Sequence, residues 1–228
     1  MNQRLLLEGG AEFGGRMSEP DLRALELAGG FDALVCIIPA AAAPDSNHNH
    51  AGNHGIRWFH KLGAKNVFTV NVIDTASAND PSLADLIRNS QLIYLLGGFP
   101  RYLGETLASS LCWHAALEAC EHGAVIAGSS AGAMVLCEHY YDPYEKTLLR
   151  GLNLIPNACV IPHHNNLGKD WRDQLRHLLP NATLIGIDER TGMINDPSGS
   201  WQVYGAGCVT IYQDEKAGIY GDGETFTL

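Results

Sequence analysis

The stretch Ala124-Val125-Ile126-Ala127-Gly128-Ser129-Ser130-Ala131-Gly132-Ala133-Met134-Val135-Leu136 decides how this chain is read. An apolar, strand-like run ends at Gly128, and a helix-compatible run starts at Ala131. Between them lies a Gly-x-Ser-x-Gly pattern centred on Ser130. That arrangement is a nucleophile elbow: a sharp turn that holds a serine hydroxyl above the end of a strand. Small neighbours are needed because the turn strains the backbone and brings two chain segments together. The spacing favours Ser130 over the adjacent Ser129 as the exposed hydroxyl. A structural turn whose serine only caps the helix would leave the same pattern.

The surrounding chain predicts an α/β domain spanning residues 1–228. Its 228 residues, 46% of them apolar, are enough for a full-sized core. Strands are predicted at Leu5–Leu7, Ala33–Ile38, Val67–Val72, Leu92–Leu96, Val125–Ala127, Cys159–Ile161 and Leu184–Ile187. Helices are predicted from Ser18, with that serine as cap, from Arg101 to Cys120, and from Asp170 to Leu179. The alternation implies a three-layer sandwich: a mostly parallel central sheet with helices on both faces. Thr191–Ile194, Trp201–Tyr204 and Cys208–Tyr212 read as antiparallel hairpin strands near the C-terminus.

A formal charge of -10 argues against a nucleic-acid partner. No apolar run has the length of a membrane span, and the N-terminal run is too short for a signal peptide. Six cysteines without a C-x-x-C pair fit buried hydrophobes in a reducing cytoplasm, so a cytoplasmic protein is expected. A homodimer is compatible with the sequence.

A serine hydroxyl needs a base, and the base needs an orienting partner. Ligands in open α/β sheets bind beyond the carboxyl ends of the strands. His163-His164 and Asp188-Glu189 each follow a predicted strand. Ser130, His163 and Glu189 therefore require only three loops on one sheet edge. Neighbouring side chains on an extended segment point opposite ways, so one of the two histidines faces the serine.

Five ordered segments resemble the peptidase E and cyanophycinase group of serine peptidases. They are Gly9-Gly10-Ala11-Glu12, Leu96-Gly97-Gly98, Gly128-Ser129-Ser130-Ala131-Gly132-Ala133, Pro162-His163, and Ile185-Gly186-Ile187-Asp188-Glu189-Arg190-Thr191. The resemblance implies a glutamine-amidotransferase-like fold. It implies Ser130 as nucleophile, His163 as base and Glu189 as orienting acid, with Asp142 and Glu145 as rivals for the third role. It places the backbone amides of Gly98 and Ala131 in an oxyanion hole. The implied activity is hydrolysis of small α- or β-aspartyl peptides through an acyl-enzyme, with no cofactor or metal. The candidates for substrate contact are Arg172, Arg176, Phe99 and His164.

The chain departs from the family at Phe99-Pro100, where a polar pair is common, and at Ile161, where an acid is common. Its helix after the histidine keeps only Arg172 and Arg176. These departures motivate an alternative: a non-catalytic ligand-binding or regulatory protein that retains the fold. The histidines His48, His50 and His54 lead into a helix and read as a polar loop or pocket lining; the spacing of His50 and His54 is compatible with a metal, but no H-E-x-x-H pattern or cysteine partner accompanies it.

Overall fold

The computed structural model describes residues 3–195, 199–213 and 216–228, with the backbone alone over 167–170. The first half alternates strand and helix: β1 (Arg4–Glu8), α1 (Ser18–Leu27), β2 (Leu34–Ile38), α2 (His48–Leu62), β3 (Asn66–Thr69), α3 (Pro81–Arg88) and β4 (Leu92–Leu95). Next come α4 (Pro100–Leu107), α5 (Leu111–Glu121), β5 (Val125–Ser129) and α6 (Ala131–Leu136). The second half is richer in strand: β6 (Cys137–Asp142), β7 (Thr147–Arg150), β8 (Ile155–Ile161), α7 (Lys169–Leu178) and β9 (Thr183–Ile187). It ends with β10 (Thr191–Asn195), β11 (Trp201–Gly205), β12 (Val209–Gln213), β13 (Lys216–Tyr220) and β14 (Thr225–Phe226).

The α/β class with parallel core strands and C-terminal antiparallel strands stands, but the strands divide between two sheets. The larger has the order β14-β11-β10-β1-β5-β4-β2-β3. Its β1, β5, β4, β2 and β3 run parallel, while β10, β11 and β14 are antiparallel. The smaller has the order β13-β12-β9-β8-β6-β7, with β6, β8 and β9 parallel.

Both faces of the larger sheet are covered, which explains why its strands read as continuous apolar runs. On one face Leu6, Val35, Ile37, Tyr94 and Ala127 pack against Leu25 of α1 and Trp58 and Phe59 of α2. On the other, Leu5, Leu7, Ile93, Leu95 and Ile126 pack against α5, α6 and inward residues of the smaller sheet such as Val160, Ile185 and Ile211. Leu175 and Leu179 cover the far side of that second sheet, against Ile161 and Leu184. Five of the cysteines are buried and none is bonded to another.

Several predicted boundaries move. The helix expected from Arg101 to Cys120 is two helices, because Ser109 adopts a left-handed φ of 56° and the Ser110 hydroxyl accepts from the Trp113 amide at 3.1 Å, capping a new start. Ser18 does not cap α1; its hydroxyl turns back to the Gly15 carbonyl. β3 stops at Thr69, and β8 begins four residues before Cys159, across Pro156 and Asn157, which interrupt its apolar pattern. β6 and β7 were not expected, since polar residues such as Glu138, Asp142 and Arg150 mask their pattern. Among the described residues, no helix is long and apolar enough to cross a membrane.

Candidate active site

The elbow has the geometry its glycines demand. Ser130 stands between β5 and α6 at φ 48° and ψ −110°, a strained conformation for a residue with a side chain. A Cβ on Gly128 would lie 2.5 Å from the Gly132 carbonyl carbon, and one on Gly132 would lie 2.2 Å from the Leu95 carbonyl oxygen. The helix therefore presses on its own strand and on β4 as closely as backbones can, and that contact holds the serine up.

The Ser130 hydroxyl lies 2.9 Å from His163 Nε2, and His163 Nδ1 lies 2.9 Å from Glu189 Oε1. The serine sits at the end of β5, the histidine after β8 and the glutamate after β9, so both sheets contribute to one rim. His163 also has a left-handed φ, 48°. The hydrogen bond from His163 favours the charged form of Glu189 and lowers its pKa below the ordinary carboxylate value. An ionised Glu189 fixes the proton on Nδ1 and leaves Nε2 to accept from the Ser130 hydroxyl.

Two asparagines hold the glutamate, and the sequence reading missed both. Asn165 Oδ1 accepts from the Glu189 amide at 3.1 Å, and the Asn166 side chain lies near the Glu189 carboxylate and favours its charged form. Asn166 is itself fixed by its amide, which donates to the His163 carbonyl at 2.9 Å. Their only signal was the unbroken polar run His163-His164-Asn165-Asn166.

The end of β1 ties the rim together. The Ser130 amide donates to the Glu8 carbonyl at 2.9 Å, the His163 amide to Gly9 at 2.8 Å, and the Arg190 amide to Gly10 at 3.1 Å. Gly10 takes φ +119°, and a Cβ there would lie 2.2 Å from His163 Cε1, so the imidazole rests directly on this glycine.

The rival acids lie elsewhere. Asp142 is buried at the end of β6, where its Oδ1 accepts from the Tyr144 amide at 3.0 Å. Asp142 and Glu145 line a separate cavity of about 470 Å³, together with Phe99, Pro100, Arg101 and Tyr144. Phe99 stacks on Tyr144 with ring centroids 5.1 Å apart. Gly97, two residues before Phe99, touches the catalytic serine candidate: a Cβ on it would be 3.3 Å from Ser130 Cβ. The cavity thus adjoins the rim through the Gly97-Gly98-Phe99 turn. The stacking of Tyr144 on Phe99 has no signal in sequence spacing.

Other expected contacts are redirected. His164 is buried in the turn after β8, with Nε2 2.9 Å from the Tyr212 hydroxyl and Nδ1 3.4 Å from Asp188 Oδ1, so its ring packs against the second sheet, away from the Ser130 hydroxyl that His163 meets. Arg172 pairs with Asp173 and lies over the Tyr212 ring, and Arg176 points to the Ala182 carbonyl at 3.5 Å. His48, His50 and His54 all fall on α2, where His54 meets Phe13 edge-on. Among the described residues, no three histidine, cysteine or acidic side chains are grouped to hold a metal.

The sequence profile of Peptidase family S51 matches residues 5–196. The chain belongs to peptidase family S51. This is a family of serine peptidases, as the resemblance of the five segments implied. A cyanophycinase from Geminocystis herdmanii (strain PCC 6308) is 27% identical over 98% of this chain and 85% of its own length. A cyanophycinase from Synechococcus elongatus is 28% identical over 81% of this chain, which spans only 60% of that protein. The crystal structure of a peptidase from an acI-B1 Actinobacterium superposes with a TM-score of 0.88 at 29% identity, covering 99% of this chain and 97% of that one. A putative peptidase E protein from Listeria monocytogenes EGD-e shares the fold, with a TM-score of 0.63 at 18% identity.

Proposed function

We propose that this S51 peptidase cleaves small aspartyl peptides through an acyl-enzyme, with Ser130 as nucleophile, His163 as general base and Glu189 as the acid that orients it. The observation that carries this reading is the unbroken relay from Ser130 Oγ through His163 to Glu189, at 2.9 Å on both sides of the ring. His163 Nε2 takes the hydroxyl proton as Oγ attacks the carbonyl carbon. The carbonyl oxygen becomes an oxyanion, for which the family resemblance assigns the amides of Gly98 and Ala131 as donors. His163 then passes the proton to the leaving amine, and water repeats the cycle on the ester. A non-catalytic module has no use for a strained serine aligned on an imidazole, which is why the peptidase reading is preferred.

The cavity beside Phe99 favours a basic residue on the leaving side of the substrate. Glu105, Asp142 and Glu145 face it against the lone cation Arg101, which already pairs with Glu105 at 2.8 Å. A guanidinium laid against the exposed face of the Phe99–Tyr144 stack would gain both charge and stacking. The reading is thus an aspartyl bond to arginine, and the Asp188-Glu189 segment, which resembles the cyanophycinase branch of the family, favours the β linkage. An α-aspartyl dipeptide is the alternative, since Arg172 and Arg176 are engaged elsewhere and do not select between linkages.

Turnover of matched α- and β-aspartyl-arginine dipeptides, with β-aspartyl-alanine as control, tests the substrate. The expected result is a preference for the β-linked arginine peptide. Equal or greater turnover of the α-linked peptide overturns that choice and leaves the chemistry standing. Ser130→Ala is expected to lower kcat by at least about 10⁴-fold. Unchanged turnover in that variant overturns the chemistry.

A further inference from the structure

Beneath the rim lies a buried acidic pair that the proposed mechanism does not use. Glu8 ends β1 and Asp21 sits on α1; both side chains are inaccessible to solvent. Glu8 Oε2 accepts from the Tyr94 hydroxyl of β4, and Asp21 Oδ2 accepts from Trp58 Nε1 of α2 at 2.7 Å. The other oxygen of each carboxyl, Glu8 Oε1 and Asp21 Oδ1, is buried without a donor. Two ionised carboxylates cannot remain so placed in an apolar interior. The two carboxyl groups lie within hydrogen-bonding reach of each other, so one shared proton, with the Glu8 carboxyl donating to Asp21, gives the pair the donor that both orphan oxygens lack.

The surroundings agree. Burial, with the charge of Asp21 next and that of Glu12 adding less, pushes Glu8 well above the usual carboxylate range. Burial raises Asp21 to about 7, and Glu12 adds to that rise. Glu12 lies just above, where its Oε2 accepts from the Ser129 hydroxyl at 2.9 Å. The groups facing the pair are therefore Tyr94, Trp58 and Glu12, none of them a cation.

Glu8 is also the residue whose carbonyl receives the Ser130 amide and whose backbone lies in register with Ser129. The next two carbonyls, of Gly9 and Gly10, receive the amides of His163 and Arg190. The strand end that the acid pair anchors is thus the common support of all three proposed catalytic segments. We propose that Glu8 and Asp21 share a proton and act together as positioning residues, locking the end of β1 so that Ser130, His163 and Glu189 hold their alignment. This rests on the catalytic reading above for its consequence, and on the buried geometry alone for the proton.

The proton and its consequence are tested separately. Infrared spectra of the purified wild-type protein at neutral pH should contain the carbonyl stretch of a protonated carboxyl, and Glu8→Gln should lose it. Absence of that band in the wild type overturns the shared proton. The second measurement is the rate at which a fluorophosphonate acylates the serine, together with KM for a peptide that turns over. Glu8→Gln keeps an N–H donor toward Asp21 and an oxygen acceptor for Tyr94, so it should react within about twofold of wild type. Glu8→Leu and Tyr94→Phe remove one partner each; both should react at least about tenfold more slowly, with KM nearly unchanged. Tyr94→Phe leaves no large cavity, so it carries the test if the leucine variant fails to fold. A purely structural role would lower Tm in these variants and leave the acylation rate intact at temperatures where they are folded, which overturns the positioning role. A wild-type protein that resists the probe altogether contradicts the catalytic reading instead, while the infrared band still decides the proton.

Discussion

Two histidines adjacent in the chain each meet one of two acids adjacent in the chain, and the two pairs have opposite fates. His163 and Glu189 are 2.9 Å apart with side chains 27% and 34% exposed. His164 and Asp188 are 3.4 Å apart with side chains 6% and 16% exposed. The inner ring packs on Gly186, where a Cβ would lie 2.6 Å from its Cδ2, and Asp188 Oδ2 accepts from the Cys208 amide at 2.9 Å. The left-handed backbone at His163, the helical turn that starts at His164 and the turn at Glu189-Arg190 send one pair outward to the serine and the other toward the second sheet. Residue type alone thus does not identify a general base; the rim position and the free Nε2 edge toward a nucleophile do.

Exchanging the roles of the pairs by mutation separates them. The largest effect is expected at His163: His163→Ala should lower kcat/KM for a cleaved peptide by about 10³-fold or more. Glu189→Gln should follow, with a loss of about 10²–10⁴-fold in kcat, because the amide no longer stabilises the imidazolium. Steady-state kinetics at neutral pH check both. On the inner pair, His164→Ala should leave kcat within about tenfold but cost about 1–3 kcal/mol of stability, roughly 2–10 °C in Tm, by stranding the Tyr212 hydroxyl and Asp188. A thermal melt beside a kinetic assay reads that contrast. A collapse of kcat in the folded His164→Ala protein would erase the distinction between the pairs.

The smallest effect concerns acid. Glu189 has a pKa lowered in the folded state, chiefly by its hydrogen bond from His163. Its contribution to stability is therefore present above the ordinary carboxylate pKa of about 4.3 and is lost as pH falls through the depressed value. The Tm difference between wild type and Glu189→Gln should be present at neutral pH and shrink toward zero in strong acid. A difference that persists undiminished in strong acid, below that depressed value, would mean that the ionised form of Glu189 is not what His163 stabilises.

The parts of the site carried by local chemistry were legible in the sequence. Gly128, Ser130 and Gly132 encode a turn whose sterics no other spacing satisfies, and the histidine and glutamate follow buried strands as apolar runs ending in polar residues. The division into two sheets was not legible, because strand signals say nothing about which strands hydrogen-bond. Nor was the break between α4 and α5, since Leu103, Leu107 and Leu111 keep helical spacing across a residue with left-handed φ. Asp142 follows the elbow helix by only one strand, which made it a reasonable rival acid, but β6 carries it to the cavity beside Phe99. Glu8 and Asp21 lay hidden for a different reason: burial of an acid beneath β1 depends on partners 13 to 86 residues away, among them Tyr94.

The most direct test is to locate a fluorophosphonate adduct by peptide mass spectrometry in wild type, Ser129→Ala and Ser130→Ala. The proposed relay predicts an adduct on Ser130 in the first two proteins and none in the third. An adduct that persists in Ser130→Ala, or one that maps to Ser129 in the wild type, would contradict it.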